Sequence, residues 1–340
     1  MNILGIETSC DETAASIVLE NGEILSNIVL SQVDLHKVFG GVIPELASRK
    51  HLEALHGITK EAVFKAGIKL EDIDLIAVTS GPGLIGALLT GISYAKGLAY
   101  ALKKPIVGVN HIEAHLYANF MENKELTAPC IGLVISGGHT TLLRIDNIGS
   151  YKVLGQTLDD AAGEAFDKVA KLLGLGYPGG PIIDKLSREG NPKAVRFPRA
   201  MVRQENYNFS LSGLKTSVVY CVRGFGQYSK KGGKYKNIST PDLVASFQEA
   251  VIDQLLKKTL RASEETGITT IVLGGGVARN SRLRHLFGEH CAKKGLKIYL
   301  PSPIMCTDNA AMIAGLGLVK YRKHGPSPMS LDADPRMGLE

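Results

Sequence analysis

Residues 3–30 read ILGIETSCDETAASIVLENGEILSNIVL, and residues 131–158 read IGLVISGGHTTLLRIDNIGSYKVLGQTL. Both stretches follow one pattern: a short apolar strand, a turn of Ser, Thr and Gly, a β-branched strand, a second turn and a third strand. Asn21-Gly22 is a strong hairpin signal in the first stretch, and Gly149 lies at the corresponding turn of the second. The two stretches therefore predict two three-stranded units of the same order.

The similarity continues along the chain. Residues 73–98 and 268–290 both read as an apolar strand, a glycine turn and a helix, and residues 105–115 and 297–314 both read as a strand, a loop and a helix start. Chance likeness between α/β segments is the alternative, but three matches in one order favour an internal duplication. We therefore predict an α/β protein of two alike domains that face each other across a cleft, on which their corresponding loops converge.

The composition is that of a globular protein. A chain of 340 residues is long enough for two domains, and its net charge of +6 is compatible with a nucleic-acid partner without proving one. The scattered cysteines, without a C-x-x-C pair, and a first segment without a basic region indicate a reduced cytoplasmic location and no secretory signal. The apolar residues 83–102 are interrupted by Lys96 and glycines, which favours a buried helix over a membrane span.

A candidate metal site begins with the run N-H-I-E-A-H, in which His111 and His115 lie four residues apart. On a helix this spacing puts both imidazoles on one face, where they can bind one metal ion. Zinc proteases use H-E-x-x-H, with the glutamate as general base. Here the acid is Glu113, about 200° around the helix from the first histidine, which weakens the protease interpretation. Two surface histidines on an amphipathic helix are the alternative.

The repeat supplies a third candidate ligand, because Asp308 opens the helix of the second half that corresponds to the histidine helix. We predict that His111, His115 and Asp308 bind one metal, with Asp308 coming from the opposite domain. Three protein ligands leave a coordination position for substrate or water. An ordinary helix N-cap is the alternative for Asp308, and the two roles are compatible.

Glycine-rich turns are the candidate nucleotide site. Ser136-Gly137-Gly138 lies between two strands, where backbone amides could bind an anion and the alternative is a simple hairpin turn. Gly275 lies in GGGVARN at a strand–helix junction, a position that suits nucleotide binding through the backbone, although neither a dinucleotide fingerprint nor a P-loop is present. Asn280 suits a ribose or base edge, with helix capping as the alternative.

Charged segments follow in residues 160–240. Asp160, Glu164 and Asp167 share one helix face, for which a solvated acidic surface is the alternative, and Asp184 could accept hydrogen bonds from ribose or amine groups. Basic side chains interleaved with tyrosines between about 190 and 240 suit RNA, with a solvated surface as the alternative. The basic loop 230–236 is predicted to be exposed.

Taken in order, these motifs resemble the tRNA threonylcarbamoyladenosine-modifying family of the bacterial TsaD type over nearly the whole chain. The resemblance rests on GIETSCDET, SGPGLIGALLTG, NHIEAH, SGGHT, AAGEAFDKVAKLLGL, YPGGP, FSLSGLKT, GGGVARN and CTDNAAMIA. It implies a duplicated actin-like, or sugar-kinase-like, fold. The expected boundaries are 1–125 for the first domain, with packing of the C-terminal helix across left open, 126–325 for the second with an insertion at about 160–240, and 326–340 for a tail.

The resemblance also implies roles for individual residues. His111, His115 and Asp308 would bind iron or zinc, and the segment from Val134 and Ile135 through Ser136, Gly137 and Gly138 would contact the phosphate and threonylcarbamoyl end of the substrate. The adenylate would be held by Asp167, Gly180, Asp184 and Asn280. Relatives with a tyrosine ligand carry it just before the S-G-G turn, where this chain has Val134 and Ile135.

The implied reaction transfers a threonylcarbamoyl group from threonylcarbamoyl-adenylate to the exocyclic amine of the adenosine 3′ of the anticodon, in tRNAs reading codons that start with A. Glu12 and Asp11 are candidate bases, with an Asx-type turn as the alternative. The implied partners are a non-catalytic paralogue (TsaB type) and a small ATPase (TsaE type). Rival interpretations are a metal-dependent endopeptidase, an ATPase or sugar kinase, and a scaffold that only binds tRNA.

Overall fold

The computed structural model describes residues 1–202, 204–225 and 237–339, so the basic loop predicted at 230–236 lies outside the described residues. Contacts divide the chain into two compact units. The first comprises Met1–Thr127, Ile148–Ser150 and Pro301–Glu340, and the second comprises Ala128–Asn147 and Tyr151–Leu300. The first unit thus draws its residues from both ends of the chain.

Each unit contains one five-stranded sheet. The strands of the first unit's sheet are β1 (Asn2–Glu7), β2 (Glu12–Leu19), β3 (Ile24–Ser31), β4 (Leu75–Gly81) and β5 (Ile106–Asn110). Their order is β3-β2-β1-β4-β5, with β1–β2 and β2–β3 antiparallel and β1–β4 and β4–β5 parallel.

The second sheet repeats this order. Its strands are β6 (Cys130–Ile135), β7 (Thr140–Asn147), β8 (Ser150–Gln156), β9 (Thr270–Gly274) and β10 (Lys297–Tyr299). They are arranged β10-β9-β6-β7-β8, with β6–β7 antiparallel and β6–β9 and β9–β10 parallel. Because strands 1–5 and 6–10 occupy equivalent positions, the structure confirms the duplicated α/β topology that the sequence repeat predicted.

Helices cover the sheets. They are α1 (Val33–Lys37), α2 (Pro44–Lys65), α3 (Ile85–Leu102), α4 (His111–Glu122), α5 (Ala162–Leu172), α6 (Gly179–Ser187), α7 (Ser212–Arg223), α8 (Thr240–Thr266), α9 (Ser281–Lys293), α10 (Pro303–Cys306) and α11 (Ala310–His324). In the first unit, alternate residues of β4 enter two separate cores, Ile76 and Val78 with α2 and α3, and Leu75 and Ala77 with α4 and α11. The sheet is therefore buried on both faces.

Helix α11 corrects one expectation from the sequence. Residues 301–325 were assigned to the second domain, but α11 packs on β1, β2 and β4 of the first sheet and belongs to the first unit. The approach is close because the facing positions are small: a Cβ at Gly5 would lie 2.1 Å from the Ala310 carbonyl oxygen, and one at Gly317 would lie 2.3 Å from the Ala77 Cβ. Chain order alone does not reveal which sheet a small-residue helix covers.

Helix α3 is long and apolar enough to cross a membrane by length and composition alone, but a helix in the core of a soluble protein passes the same test. One third of its residues are buried, among them Ile92, Ala95 and Ala99, which join a core with strands of the first sheet. The predicted buried helix is thus buried on one side only, since Leu89 and Tyr100 remain exposed.

The predicted tail follows the ends of β4 and β5. The Asp334 amide donates to the Ser80 carbonyl oxygen at 2.8 Å, and the Ser327 amide donates to that of Ile106 at 2.8 Å. Near the end of the tail, the Gly338 carbonyl oxygen accepts a 2.9 Å hydrogen bond from the Asn110 side chain. The tail thus reaches Asn110, the residue directly before α4.

Candidate functional site

The N-terminus of α4 presents the histidine pair. Asn110 caps the helix, because its Oδ1 accepts hydrogen bonds from the amides of Ile112 and Glu113 at 2.9 and 3.1 Å. The His111 and His115 rings meet edge to face, with centroids 4.6 Å apart, and both are buried. The alternative of two surface histidines was therefore wrong.

Asp308 meets both rings. Its Oδ1 lies 3.1 Å from Nε2 of His115 and 3.5 Å from Nε2 of His111. The cap of α11 is Asn309, whose Oδ1 accepts from the Met312 amide at 3.1 Å, so the capping role predicted for Asp308 was wrong. The grouping of the three residues was predicted from the repeat, but the expectation that Asp308 comes from the opposite domain was wrong, because all three lie in the first unit.

This donor set fits a metal ion. One atom from each of His111, His115 and Asp308 lies within 4.8 Å of the others, a suitable arrangement for an ion between them. Two imidazole nitrogens and one carboxylate oxygen are donors that zinc and iron accept. Among the described residues, His115 Nδ1 is buried without a hydrogen-bond partner, so within the protein this ring is held only on its Nε2 side, by Asp308. The residues could therefore hold a metal.

The two histidines differ in their protonation. Burial alone would lower the pKa of His111, but the carboxylates of Glu7 and Asp308 outweigh it and raise this pKa to about 9. Burial, and then the charge on His111, lower the pKa of His115. His115 is therefore a neutral ligand without a metal, whereas His111 must release a proton when a metal binds.

Glu7 is a site residue that the sequence interpretation missed. It is the last residue of β1 and is fully buried, and its Oε2 lies 2.9 Å from Nδ1 of His111. The Thr79 hydroxyl donates to the same oxygen at 2.6 Å, and the Ser9 amide donates to Oε1. The sequence did contain a signal for such a role. Glu7 is the one charged residue of the apolar strand β1, and a buried carboxylate needs hydrogen-bond or ion-pair partners.

The candidate bases lie in the first unit too. Glu12 begins β2, and its Oε1 accepts from the Ser31 hydroxyl at 3.2 Å. Burial, and then the charges of Asp308 and Asp11, raise the pKa of Glu12 well above its ordinary value. A carboxyl with a raised pKa is better matched to proton transfer near neutral pH than an ordinary one. The role of Glu12 and Asp11 as general bases stays a prediction.

In the second unit, the S-G-G segment forms a closed turn. The Ser136 amide donates to the His139 carbonyl oxygen at 2.8 Å, and the His139 amide donates to the Ser136 hydroxyl at 3.1 Å. Gly137 and Gly138 are exposed, and a Cβ at either would meet nothing within 4 Å. The turn rests on α5, where a Cβ at Gly163 would lie 2.7 Å from the Ser136 carbonyl oxygen.

Val134 and Ile135, which the resemblance assigned to substrate contact, lie in the interior of the second unit. Both side chains are completely buried in β6. Neither residue is therefore accessible to a substrate in this structure, and only the segment from Ser136 onwards presents accessible atoms. The sequence could not separate these two cases, because a strand that ends at a binding loop reads as one continuous motif.

The glycine turn after β9 is explained by packing. Gly275 has a φ of +88°, and a Cβ there would lie 2.5 Å from the Ile135 carbonyl oxygen, so the position requires glycine without any ligand. Asn280 caps α9, because its Oδ1 accepts from the Leu283 amide at 2.9 Å, and its Nδ2 donates to Gln248 at 2.6 Å. The capping role of Asn280 is confirmed, and its ligand role stays a prediction.

The carboxylates of α5 and α6 connect neighbouring elements. Asp167 Oδ1 accepts from the Gly179 amide at 2.7 Å, and Asp184 Oδ1 accepts from the Ser281 hydroxyl at 2.8 Å. A Cβ at Gly180 would meet nothing within 4 Å. The neighbouring Gly179 has a packing role that the sequence interpretation missed, because a Cβ there would lie 2.6 Å from the Phe166 carbonyl oxygen. Residues from four predicted positions thus surround the starts of α6 and α9.

The acidic face of α5 is neutralised in part. Lys168 lies 2.5 Å from Asp160 and 2.8 Å from Glu164, which supports the solvated, ion-paired alternative for these two acids. In the basic region, Arg199 pairs with Asp253 at 3.1 Å. The RNA-binding role of this region stays a prediction.

Known proteins resemble the chain along its whole length. A family model described as tRNA N6-adenosine threonylcarbamoyltransferase (TsaD) matches residues 23–315. A protein of that name from Clostridium perfringens (strain SM101) is 50% identical over 337 residues, covering 99% of this chain and 98% of the relative. One from Clostridium botulinum (strain Kyoto) is 49% identical over 339 residues, covering 100% and 98%.

Two solved structures share the fold at low identity. Component A of (R)-2-hydroxyglutaryl-CoA dehydratase from Acidaminococcus fermentans has a TM-score of 0.58 at 16% identity, covering 95% of this chain and 98% of that one. Full-length HypF has a TM-score of 0.62 at 15% identity, covering 96% and 56%. These likenesses confirm the actin-like, sugar-kinase-like fold class. With half of its residues identical to full-length relatives, the chain belongs to the TsaD family of tRNA N6-adenosine threonylcarbamoyltransferases.

Proposed function

We propose that this protein transfers a threonylcarbamoyl group from threonylcarbamoyl-adenylate to the exocyclic amine of the adenosine 3′ of the anticodon, in tRNAs that read codons starting with A. The observation that carries the proposal is the full-length relation, at 50% identity, to proteins named for this reaction. The clustering of His111, His115 and Asp308 supports it, because two motifs far apart in sequence form one donor set.

The proposed cofactor is one ion of iron or zinc per chain, held by Nε2 of both histidines and by Asp308. When bound, such an ion supplies Lewis acidity to a carbonyl or carboxylate oxygen of the substrate. The protein's own contribution is to hold three donors in a buried pocket before the ion arrives. Because they are already grouped, little reorganisation accompanies binding.

In the second unit, we propose that the exposed turn at Gly137 and Gly138 binds the phosphate through backbone amides, since no side chain blocks approach there. The adenylate is then assigned to the starts of α6 and α9, where Gly180, Asp184 and Asn280 lie. Asp167, Asp184 and Asn280 are already bonded within the protein and would contribute their remaining lone pairs and protons.

The proposed chemistry is acyl transfer. The adenosine amine attacks the carbamoyl carbon, a C–N bond forms, the C–O bond to the phosphate breaks, and AMP leaves with that bonding pair. The amine releases one proton, for which Glu12 and Asp11 are the candidate acceptors. An exocyclic adenine amine is a weak nucleophile, so positioning should supply most of the rate enhancement. The proposed partners are a non-catalytic paralogue and a small ATPase, in the cytoplasm.

The peptidase alternative requires a base beside the metal, and Glu113 does not supply it. Its side chain is 3% exposed and lies 2.7 Å from Nζ of Lys320, to which it is ion-paired. A carboxylate engaged in this way is not positioned to activate a water at the histidine face. The orientation deduced from helix geometry is thus supported.

A reconstituted assay tests the proposal. The purified protein, its two partners, threonylcarbamoyl-adenylate and unmodified tRNA are combined, and the modified nucleoside is measured by mass spectrometry after digestion. We expect modification of adenosine and equimolar AMP, with both retained in Glu113→Gln. tRNA binding without either product would favour the scaffold interpretation, and metal-dependent peptide cleavage that is lost in His111→Ala would favour the peptidase.

A further inference from the structure

A buried carboxylate is bonded to one of the two histidines and not to the other. Glu7 Oε2 lies 2.9 Å from Nδ1 of His111, on the far side of the ring from Asp308. Nδ1 of His115 has no hydrogen-bond partner among the described residues. The outer nitrogen of His111 therefore has protein partners, Glu7 and the Ser9 hydroxyl 3.2 Å away, whereas the outer nitrogen of His115 has none among the described residues.

The surroundings of Glu7 fix its carboxylate in turn. The Thr79 hydroxyl donates to Oε2 at 2.6 Å, and the Ser9 amide donates to Oε1. Glu7 is fully buried, and these contacts come from β4 and from the turn after β1. A carboxylate that already accepts from two donors is placed to accept a third, so the shared hydrogen belongs on His111 Nδ1. When the ring releases its other proton to a metal site, Nε2 offers its lone pair on the side where Asp308 lies.

We infer that Glu7 is the positioning residue of the metal site, which holds His111 with Nδ1 protonated and Nε2 aimed at the ion. The inference rests on the proposed metal function. Carboxylates that accept from the outer nitrogen of a ligating histidine fix its orientation and raise its basicity. His111 is accordingly the anchoring ligand, whereas no protein group among the described residues fixes the outer nitrogen of His115.

Glu113 provides a matched control in the same helix. It is a buried carboxylate like Glu7, but its ion-pair partner is Lys320, whereas the partner of Glu7 is His111. Glu113→Gln removes a buried charge two residues from His111 without touching the Glu7 contact. An effect of Glu7→Gln that Glu113→Gln does not reproduce is therefore specific to the histidine.

The test measures zinc affinity of the full-length protein by competition with a chromophoric chelator, without any activity assay. Glu7→Gln should weaken zinc binding about 10- to 100-fold, as loss of a second-layer carboxylate does elsewhere, while Glu113→Gln stays within about threefold of the parent. In the zinc-loaded, 15N-histidine-labelled protein, the Nδ1 proton signal of His111 should move upfield in Glu7→Gln, because its hydrogen bond loses the charged acceptor.

Thr79→Val keeps the side-chain shape and removes only the hydroxyl that donates to Glu7, so it covers the case in which Glu7→Gln fails to fold. It should weaken zinc binding in the same direction by a smaller factor. Zinc affinity of folded Glu7→Gln and of Thr79→Val equal to that of the parent would overturn the inference alone. A parent protein that binds no zinc and no ferrous iron would overturn the metal proposal with it.

Discussion

Replacing Asp308 by alanine should remove the bound metal and with it the transfer activity. The carboxylate is the one donor of the set that comes from outside α4, and without it two imidazoles are left to hold the ion. We expect metal affinity to fall by at least about 100-fold, beyond the effect expected for an outer-layer partner. Metal content after dialysis and the nucleoside assay check the expectation.

The neighbouring residue is the matched control. Asn309 caps α11 through its bond to the Met312 amide, so Asn309→Ala should cost about 1 kcal/mol of stability while the metal is retained. Asp308→Ala should show the reverse, because the N-cap of α11 is Asn309 and the Asp308 side chain is partly exposed. A protein that keeps its metal without Asp308 would contradict the assigned donor set.

Gly5→Ala should be among the most destabilising single substitutions in the first unit. The added Cβ would lie 2.1 Å from the Ala310 carbonyl oxygen and 2.9 Å from the Ala314 amide nitrogen, so α11 has to move off the sheet. Backbone atoms cannot rotate away as a flexible side chain can. We expect a loss of about 3 kcal/mol or more in the free energy of unfolding, measured by urea denaturation.

Metal binding should weaken in the Gly5→Ala variant, because Asp308 lies two residues before Ala310, where the displaced helix α11 begins. Gly57→Ala is the control, since Gly57 lies within α2 and a Cβ there meets nothing within 4 Å. That variant should gain about 0.5–1 kcal/mol from helix propensity and keep its metal. Equal stability of the two variants would show that α11 does not pack against β1 as described.

Much of the fold followed from local pattern. The strands around Asn21-Gly22 and Gly149 could be predicted because alternation and turn chemistry act over a few residues, and the repeat then gave the matching sheet order. The common face of the two histidines on α4, and the orientation of Glu113 away from that face, followed from helix geometry alone. These features are determined within one element or by comparison of one element with another.

Other features depended on packing between distant segments. The sequence assigned 301–325 to the second half by chain order, whereas the small residues of α11 allow it to cover the first sheet. Glu7 looked like the end of a strand, and only its approach to His111 from 104 positions away revealed a role. Val134 and Ile135 looked like part of a binding loop, but burial removes their side chains from it.

The sequence by itself determined the family, the duplicated order of elements and the three residues of the candidate metal site, because motif spacing and helix periodicity depend on local residue order. Only the tertiary structure decided that all three donors lie in one unit, that Asn309 rather than Asp308 caps α11, and that Glu7 holds His111. Those facts depend on which surfaces pack together. Packing depends on side-chain volume and buried hydrogen bonding between residues far apart in the chain.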